Sequence, residues 1–145
     1  IRTEKHLQAE FERLMLIEGA TGVMLQPMIK GTELFIGAKY EPTFGHVILF
    51  GLGGIFVEVL HDVSSGLAPL TFNEAYSMIR SVKSYKIIRG ARGKPGIDED
   101  ILAGIIVRLS SLLRFAVEIK EIDLNPLIGL KDKIQVVDAR ILIKK

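Results

Sequence analysis

Hydrophobic residues recur at helical spacing in three stretches of the chain. The first stretch begins after Thr3, which can cap a helix, and stops near Gly19, where a left-handed residue is expected. The second opens on the capping box Thr71-Phe72-Asn73-Glu74 and is predicted to run to about Lys83. The third, from Asp98 to Arg114, has one broad apolar face and is the strongest helix signal. The pattern therefore predicts three amphipathic helices.

Between the helices, short β-prone runs alternate with turn-like segments and predict consecutive antiparallel strands. The expected strands are Val23 to Met28, Glu33 to Tyr40, His46 to Phe50, Ile55 to Leu60, about Val117 to Leu124, and Ile134 to Ile143. Glycines in the segment Gly51 to Gly54 join two of these strands, which argues against a dinucleotide-binding fingerprint, where a helix would follow. Strands in series with helices covering one face indicate the α+β class.

The composition is that of one folded domain. The chain has 145 residues, of which 48% are hydrophobic and 25% charged. No apolar run reaches the roughly 18 residues of a bilayer span, and a net charge of +2 without a basic stripe argues against nucleic acid. We therefore expect neither a membrane nor a nucleic-acid partner. The absence of cysteine fits a reducing compartment, so cytoplasm is the default expectation, and a first residue other than Met suggests a fragment.

Oxygen-bearing side chains near the carboxyl end suggest a metal site. Because side chains alternate along a strand, Glu121, Asp123 and Asn125 are predicted to share one face. If the last two strands form a hairpin that turns near 130–131, Asp138 falls roughly opposite Asp123. Carboxylates placed this way repel one another unless a cation or proton intervenes. Oxygen ligands without His or Cys favour magnesium or manganese over zinc.

Each of these features also has a structural explanation. The acidic strand can also be explained as an ordinary solvated face whose charge is neutralised by Lys120 and Arg140. The pattern alone favours that interpretation over a metal site. The segment Gly51 to Gly54 suits either a phosphate cradle or a plain tight turn. Arg92 and Lys94 lie in a glycine-rich loop and could clamp a phosphate, although a solvated basic loop is more common. The three histidines lack ligand or triad spacing and are expected at the surface or in packing.

An ordered set of motifs runs through nearly the whole chain. It comprises Gly22 to Ile29, Gly31 to Leu34, Pro42 to Gly45, Phe50 to Ile55, Val57-Glu58, Asp62, Gly90 to Gly93, Glu121 to Leu127 and Val137 to Ile141. The set closely resembles the ATP-grasp part of the NDP-forming acyl-CoA synthetases, which include ADP-forming acetate–CoA ligase and, more distantly, the succinyl-CoA synthetase β subunit. Any one motif is weak, whereas the ordered set is specific.

The resemblance implies a single ATP-grasp domain fragment, with residues 1–27 forming the end of the small lobe and the hinge strand and 28–145 the large lobe. It implies that the strand from Val23 to Met28 lies beside adenine and that ATP or ADP is bound with Mg²⁺. The candidate nucleotide-binding residues are Gln26, Met28, Glu33 and Lys39. Metal binding is assigned to Asn125, Asp138, Asp123 and Glu121, and catalytic roles are assigned to Arg92, Gly53 and Gly54.

The resemblance also implies a reaction shared with other domains. In the family, an acyl phosphate passes its phosphoryl group to a histidine, which passes it to the nucleotide. The expected partners are the CoA-binding and phosphohistidine-bearing domains or subunit, with CoA and the carboxylic acid bound mainly there. The chain lacks a match to the family's small-lobe lysine and histidine motif, so the piece alone is expected to have little turnover. The alternatives are a regulatory module of a lysine acetyltransferase and an amide-forming ATP-grasp ligase.

Overall fold

The computed structural model of the chain describes residues 1–54, 61–91, 93 and 95–144. In chain order its elements are α1 (Glu4–Met15), β1 (Thr32–Glu41), β2 (Gly45–Leu52), β3 (Val63–Leu67), α2 (Phe72–Ser81), α3 (Tyr85–Ile88), α4 (Glu99–Phe115), β4 (Ile119–Gly129), β5 (Ile134–Val136) and β6 (Ala139–Ile143). In these ranges no helix is both long and apolar enough to cross a membrane.

The three predicted helices are confirmed, and side-chain caps define where they begin. The Thr3 hydroxyl accepts the N–H of His6 at the start of α1. At α2 the capping box is complete, because Thr71 accepts the N–H of Glu74 at 3.3 Å while the Glu74 carboxylate accepts the N–H of Thr71 at 2.7 Å. The Asp98 carboxylate accepts two N–H groups in the first turn of α4.

The strands of the described ranges form one antiparallel sheet. Its order is β3-β2-β1-β4-β5, and β6 pairs with β4 as well. The neighbours β1 and β2 form a hairpin that closes at Glu41 and Gly45. Strand β4 pairs with β1 on one edge and with β5 and β6 on the other, so it occupies a central position. The predicted α+β class with a mainly antiparallel sheet is confirmed.

The core lies between one face of this sheet and the helices α2 and α4. Apolar residues two apart in β1, such as Leu34, Ile36 and Ala38, are fully or almost fully buried, as are their partners Ile48 and Phe50 in β2. The helices contribute buried side chains from one stripe each, namely Ala75, Met78, Ile79, Leu102, Ile106, Leu109 and Leu113. The alternate residues of β1 therefore point to the opposite face, which these helices leave open.

Two of the predicted strands are wrong or incomplete. Residues Val23 to Met28 form no strand, because they have no partner strand within the described ranges, and Met24 and Met28 are 80% and 89% exposed. The last predicted strand is divided into β5 and β6, since the regular ladder with β4 is broken at residues 137 and 138, although each keeps a backbone hydrogen bond to β4. The strand expected from Ile55 to Leu60 lies outside the described residues.

Other elements are longer than predicted or were missed. Strand β4 continues through Asn125 and Pro126 to Gly129 instead of ending near Leu124. A β-bulge makes this possible, since the pairing of β4 with β1 shifts between Leu34 and Ile36. The edge strand β3 and the single helical turn α3 were not predicted, because both are too short to show a clear hydrophobic period.

Candidate nucleotide and metal site

The four candidate metal ligands lie along the open face of the sheet. Asp123 is paired with Gly37 on one side and with Arg140 on the other, so its side chain is on the face of β1 that points away from the core. Glu121 and Asn125 alternate with Asp123 on that face. The bulge in β4 falls at positions 125 and 126, between Leu124 and Leu127, and bulges of this kind often redirect side chains beside active sites.

The expected pairing of Asp138 with Asp123 is wrong by two residues. Arg140 faces Asp123, whereas Asp138 faces Asn125 and its carbonyl accepts the Asn125 N–H at 3.3 Å. The cause is the turn, which is closed by a bond from Leu130 N–H to the Lys133 carbonyl and lies one residue later than predicted. When a hairpin turn moves by one residue, each residue of the first strand faces a residue two positions further along the second strand. Asp138 therefore stays on the same face as Asp123.

The environment of Asp123 fits a site for a cation. Its Oδ1 atom is buried and accepts no hydrogen bond from the described part of the chain. Burial raises the pKa of Asp123 above its ordinary value; Arg140 opposes the rise, and the negative charges of Glu121 and Asp138 add to it. Arg140, which is paired with Asp123 in the sheet, forms an ion pair with Asp138, with 3.4 Å between Nε and Oδ2. Mg²⁺ would provide the missing partner for this oxygen, because it binds carboxylate oxygens and offsets the charge of the acidic neighbours.

Carboxylates alone do not complete the site. Among the residues that the structure describes, no three acidic or histidine side chains converge closely enough to hold an ion by themselves. An ion bound by Asp123 and Asp138 would therefore also need the Asn125 amide, water or phosphate oxygens. Mg²⁺ in proteins typically keeps several waters and shares itself with substrate phosphates. The set is suited to a metal that arrives with a nucleotide.

Two of the candidate nucleotide-binding residues share this face. Glu33 and Lys39 alternate with Gly37 along β1, so all three point away from the core. Lys39 is paired directly with Glu121, and its Nζ lies 3.3 Å from Glu41 Oε1. Glu33 and Lys39 therefore stand at opposite ends of β1 on the open face.

The glycine segment after β2 lies against Glu33. The N–H of Gly53 donates to the Glu33 carbonyl at 2.9 Å, and a Cβ on Gly54 would stand 2.5 Å from Glu33 Oε2. Gly54 also has a φ of +61°, a conformation that side chains other than glycine rarely adopt. Beside this turn is a cleft of about 420 Å³ lined by Gly31, Thr32, Glu33, Leu52, Gly53, Gly54 and Ile87. The turn is thus a close-packed wall of a cleft.

Gln26 and Met28 lie in an exposed segment outside regular structure. The Gln26 amide donates to Met24 Sδ at 2.9 Å. Gln26, with Pro27 and Ile29, faces β5 across a recess of about 140 Å³ that includes Val137. The segment therefore lies next to the strand that leads into Asp138, while Met28 itself is exposed to solvent.

Arg92 and Lys94 lie outside the described residues, but the frame of their loop is defined. The loop leaves α3 at Gly90, which has a φ of +101°, and returns where the Ile97 N–H donates to the Ile88 carbonyl at 2.8 Å. Gly96 permits this closure, since a Cβ there would collide with the Arg89 carbonyl. The two ends of the loop are therefore held together at α3.

Sequence reasoning assigned no role to several residues around the cleft. Thr32 and Ile87 line it, and buried Asp62 holds the segment before α3 through bonds to the N–H groups of Lys83 and Ser84. A buried aspartate beside a short helix has no spacing signal, because its partners are 21 and 22 residues away. The histidines behave as expected: His46 is buried, and its Nε2 lies 2.6 Å from the Ile119 carbonyl.

An antiparallel sheet with helices on one face and acidic and amide side chains on the other is an arrangement suited to a domain that binds a nucleotide together with a metal ion. The chain belongs to the ATP-grasp domain family, whose model matches residues 1–143. This assignment agrees with the family resemblance that the motifs indicated.

Relatives of the chain include acetate–CoA ligases named as ADP-forming. The chain is 43% identical over 143 residues to acetate–CoA ligase [ADP-forming] I of Archaeoglobus fulgidus, covering 94% of this chain and 21% of the relative. It is 45% identical over 123 residues to the ligase I β subunit of Pyrococcus furiosus, covering 84% of this chain and 53% of that subunit. The chain thus spans between a fifth and about half of these relatives.

A solved structure from Ca. Korarchaeum cryptofilum has the same fold. It is a dinucleotide forming acetyl-coenzyme A synthetase 1 in complex with coenzyme A and Mg-AMPPCP, with its phosphohistidine segment pointing towards the nucleotide binding site. The TM-score is 0.77 at 43% identity, and the match covers 81% of this chain and 55% of that one.

Proposed function

We propose that this chain is the nucleotide- and Mg²⁺-binding part of an ADP-forming acid–CoA ligase, in which phosphate is exchanged between a phosphohistidine and ADP. The observation that carries the proposal is the alignment of Glu121, Asp123, Asn125 and Asp138 on one open face, which also bears Glu33. The names of the relatives and the nucleotide analogue in the solved structure support it. They do not support a regulatory module of a lysine acetyltransferase.

In this proposal the acidic face holds the phosphates of the nucleotide through a shared ion. Asp123, Asn125 and Asp138 are the ligands, with Glu121 beside them, and bound Mg²⁺ would neutralise the phosphate oxygens. Glu33 and Lys39 on β1, together with the segment of Gln26 and Met28, bind the rest of the nucleotide. The residues of this chain act by holding the nucleotide in line rather than by covalent chemistry.

The glycine turn faces the phosphohistidine in this scheme. The cleft beside Gly53 and Gly54 admits an incoming imidazole, and Arg92 supplies positive charge to the phosphoryl group in transit. In the forward step the N–P bond of the phosphohistidine breaks as a β-phosphate oxygen of ADP forms the new O–P bond. The leaving ring nitrogen takes up a proton from water, so that a neutral imidazole is released. The histidine comes from a partner domain or subunit, which also binds CoA and the acid.

The division of the fold follows the same proposal. Residues 1–27 are the end of the small lobe with the hinge, and 28–145 are the large lobe. Because the relatives include both a longer single chain and a separate β subunit, the phosphohistidine-bearing partner of this chain is either fused to it or a distinct subunit. A cytoplasmic location is part of the proposal and fits the lack of cysteine.

The decisive experiment is reconstitution. The chain, assembled with CoA-binding and phosphohistidine-bearing partners, is assayed for ATP formation from acetyl-CoA, ADP and phosphate with Mg²⁺. We expect activity that Asp138→Asn lowers by about a hundredfold or more, as for removal of a group that stabilises transferred charge. Asp132→Asn is the matched control, since Asp132 is an exposed carboxylate in the preceding turn. No ATP formation by any assembly, or equal rates in both variants, would contradict the proposal.

A further inference from the structure

Asp62 is a buried carboxylate that the proposed chemistry does not use. Its side chain is 6% exposed, yet it lies outside the acidic face described above. Its two oxygens accept one backbone N–H each, from Lys83 and from Ser84, both at 2.7 Å. Hydrogen bonds of this length to a charged acceptor are among the stronger ones in proteins. A buried charge held this way fixes the backbone that it contacts.

The contacted backbone is the start of α3. This helix has only four residues, and its cap residue, Ser84, makes no side-chain capping bond. So short a helix is not stable alone, and its position depends on contacts from outside. Asp62 supplies one such contact at the amino end, and the Tyr85 hydroxyl supplies another by donating to Glu99. Two carboxylates, together with the burial of Ile88 in the core, therefore hold α3 in place.

The backbone of Asp62 contacts the strand that leads to the glycine turn. A Cβ on Gly51 would stand 2.5 Å from the Asp62 carbonyl oxygen, so these two chain segments are in close contact. Gly51 belongs to β2, which runs directly into Gly53 and Gly54. One residue thus contacts both the strand that leads to the glycine turn and the start of the helix that carries Ile87, and the glycine turn and Ile87 both line the cleft.

We propose that Asp62 is a positioning residue that fixes the separation of the two cleft walls, the glycine turn and Ile87, for the entry of the phosphohistidine. The same anchor fixes the origin of the loop that carries Arg92, because that loop begins and ends at α3. This inference rests on the proposed function. Burial acts to raise the pKa of Asp62, but the bonds from Ser84 and Lys83 outweigh it and hold the pKa below its ordinary value, so the anchor is charged at neutral pH.

The test separates the transfer step from the rest of the reaction. In the assembled enzyme, phosphohistidine is formed from acetyl-CoA and radiolabelled phosphate without nucleotide, and its discharge is then followed in a single turnover after addition of Mg-ADP. Asp62→Asn keeps the shape of the side chain but replaces one accepting oxygen with an NH₂ group, which cannot accept a hydrogen bond from the backbone N–H that it faces. We expect phosphohistidine formation and the KM for ADP to stay within about twofold of wild type while discharge slows about tenfold or more, as for a small misplacement of reacting groups.

A matched variant controls for loss of stability. Glu74→Ala removes a carboxylate that likewise accepts a backbone N–H at 2.7 Å, but in the capping box of α2, away from the cleft. It should lower the melting temperature without slowing discharge. If Asp62→Asn does not fold, Ile87→Ala tests the same wall, since Ile87 is 42% exposed and its loss does not open the core. It should also slow discharge.

The outcomes discriminate between the two proposals. Discharge at the wild-type rate in Asp62→Asn or in Ile87→Ala overturns the role of Asp62. Equal slowing by Glu74→Ala shows a general stability effect and overturns it too. A wild-type assembly that forms no ATP refutes the proposed function instead.

Discussion

At the residue scale, Asp138 and Asp123 differ in what surrounds them. Asp138 is exposed and is balanced by Arg140, whereas Asp123 is partly buried and has an oxygen without a donor. Removing a metal-free ion pair at the surface costs little stability. Substitution of Asp138 should therefore affect ligand binding far more than folding, which makes it the cleaner probe of the two.

We predict that Mg²⁺ with ADP raises the melting temperature of this chain by about 3 °C or less, because a weak ligand stabilises only slightly at concentrations near its Kd. Asp138→Ala should abolish the shift, and Asp132→Ala should leave it unchanged. Differential scanning fluorimetry with and without Mg-ADP measures both. A shift of full size in Asp138→Ala would count against the metal assignment.

Asp62 gives a second prediction at this scale, on acid stability. Its pKa is lower in the folded chain than the ordinary 3.8, so its contribution is present above about pH 3.8 and is lost as pH falls through the folded-state pKa. Asp62→Asn has no such group. The difference in free energy of unfolding between wild type and variant should shrink between about pH 5 and pH 2. Urea unfolding across that range measures it, and a constant difference would show that folding does not lower the pKa of Asp62.

At the element scale, the turn after β2 combines two demands on glycine. Gly54 has a positive φ and also has Glu33 Oε2 in the place of a side chain, while Gly45 has a positive φ of +81° but open space around it. The two positions therefore separate backbone strain from steric contact. Only the contact between Gly54 and Glu33 concerns the candidate site.

We predict that Gly45→Ala and Gly54→Ala each destabilise the chain by about 1–2 kcal/mol through backbone strain. Gly54→Ala should in addition displace the Glu33 carboxylate and slow ATP formation in the assembled enzyme by at least about tenfold. Gly45→Ala should retain the wild-type rate at a temperature where both are folded. Equal rates in the two variants would mean that the Glu33 contact has no part in the reaction.

How far the sequence predicts this fold depends on the element. The helices were predictable because Thr3, Thr71 and Asp98 are local signals that precede strong apolar periods. The register of the last hairpin was not, since one residue in the position of a turn changes which residue faces Asp123. The segment from Val23 to Met28 has strand propensity but no partner in the described ranges, and propensity alone does not form a strand.

The candidate site shows the same limit. Alternation along one strand predicts that Glu121, Asp123 and Asn125 share one face, because it needs no knowledge of other elements. The contacts of Asp62 and Ile87 join distant segments, and although Asp62 belongs to the ordered motif set, no local pattern indicates what these two residues contact. The burial of Asp123, which favours an ion there, likewise follows only from the packed sheet.

At the scale of the whole molecule, the helices differ in how much of their apolar surface is buried. The core is built from the sheet with α2 and α4, whereas α1 has no buried residue. Its apolar positions Leu7 and Phe11 are 37% and 48% exposed and border an open groove of about 430 Å³ shared with Met24 and Leu25. Helices gain most of their stability from packing of the apolar face, and α1 has little of it.

We therefore predict that amide hydrogen exchange in this chain separates α1 from α4. Amides in α4, which buries six side chains, should exchange only through global unfolding, while those in α1 should exchange by local fraying, at least about a hundredfold faster. Exchange followed by mass spectrometry of peptic fragments resolves the two helices, and the strands β1 and β4 serve as internal references for core protection. Because Thr3 caps α1 without anchoring it, Thr3→Ala should speed exchange in α1 alone. Protection of α1 equal to that of α4 would mean that its apolar face is buried in solution.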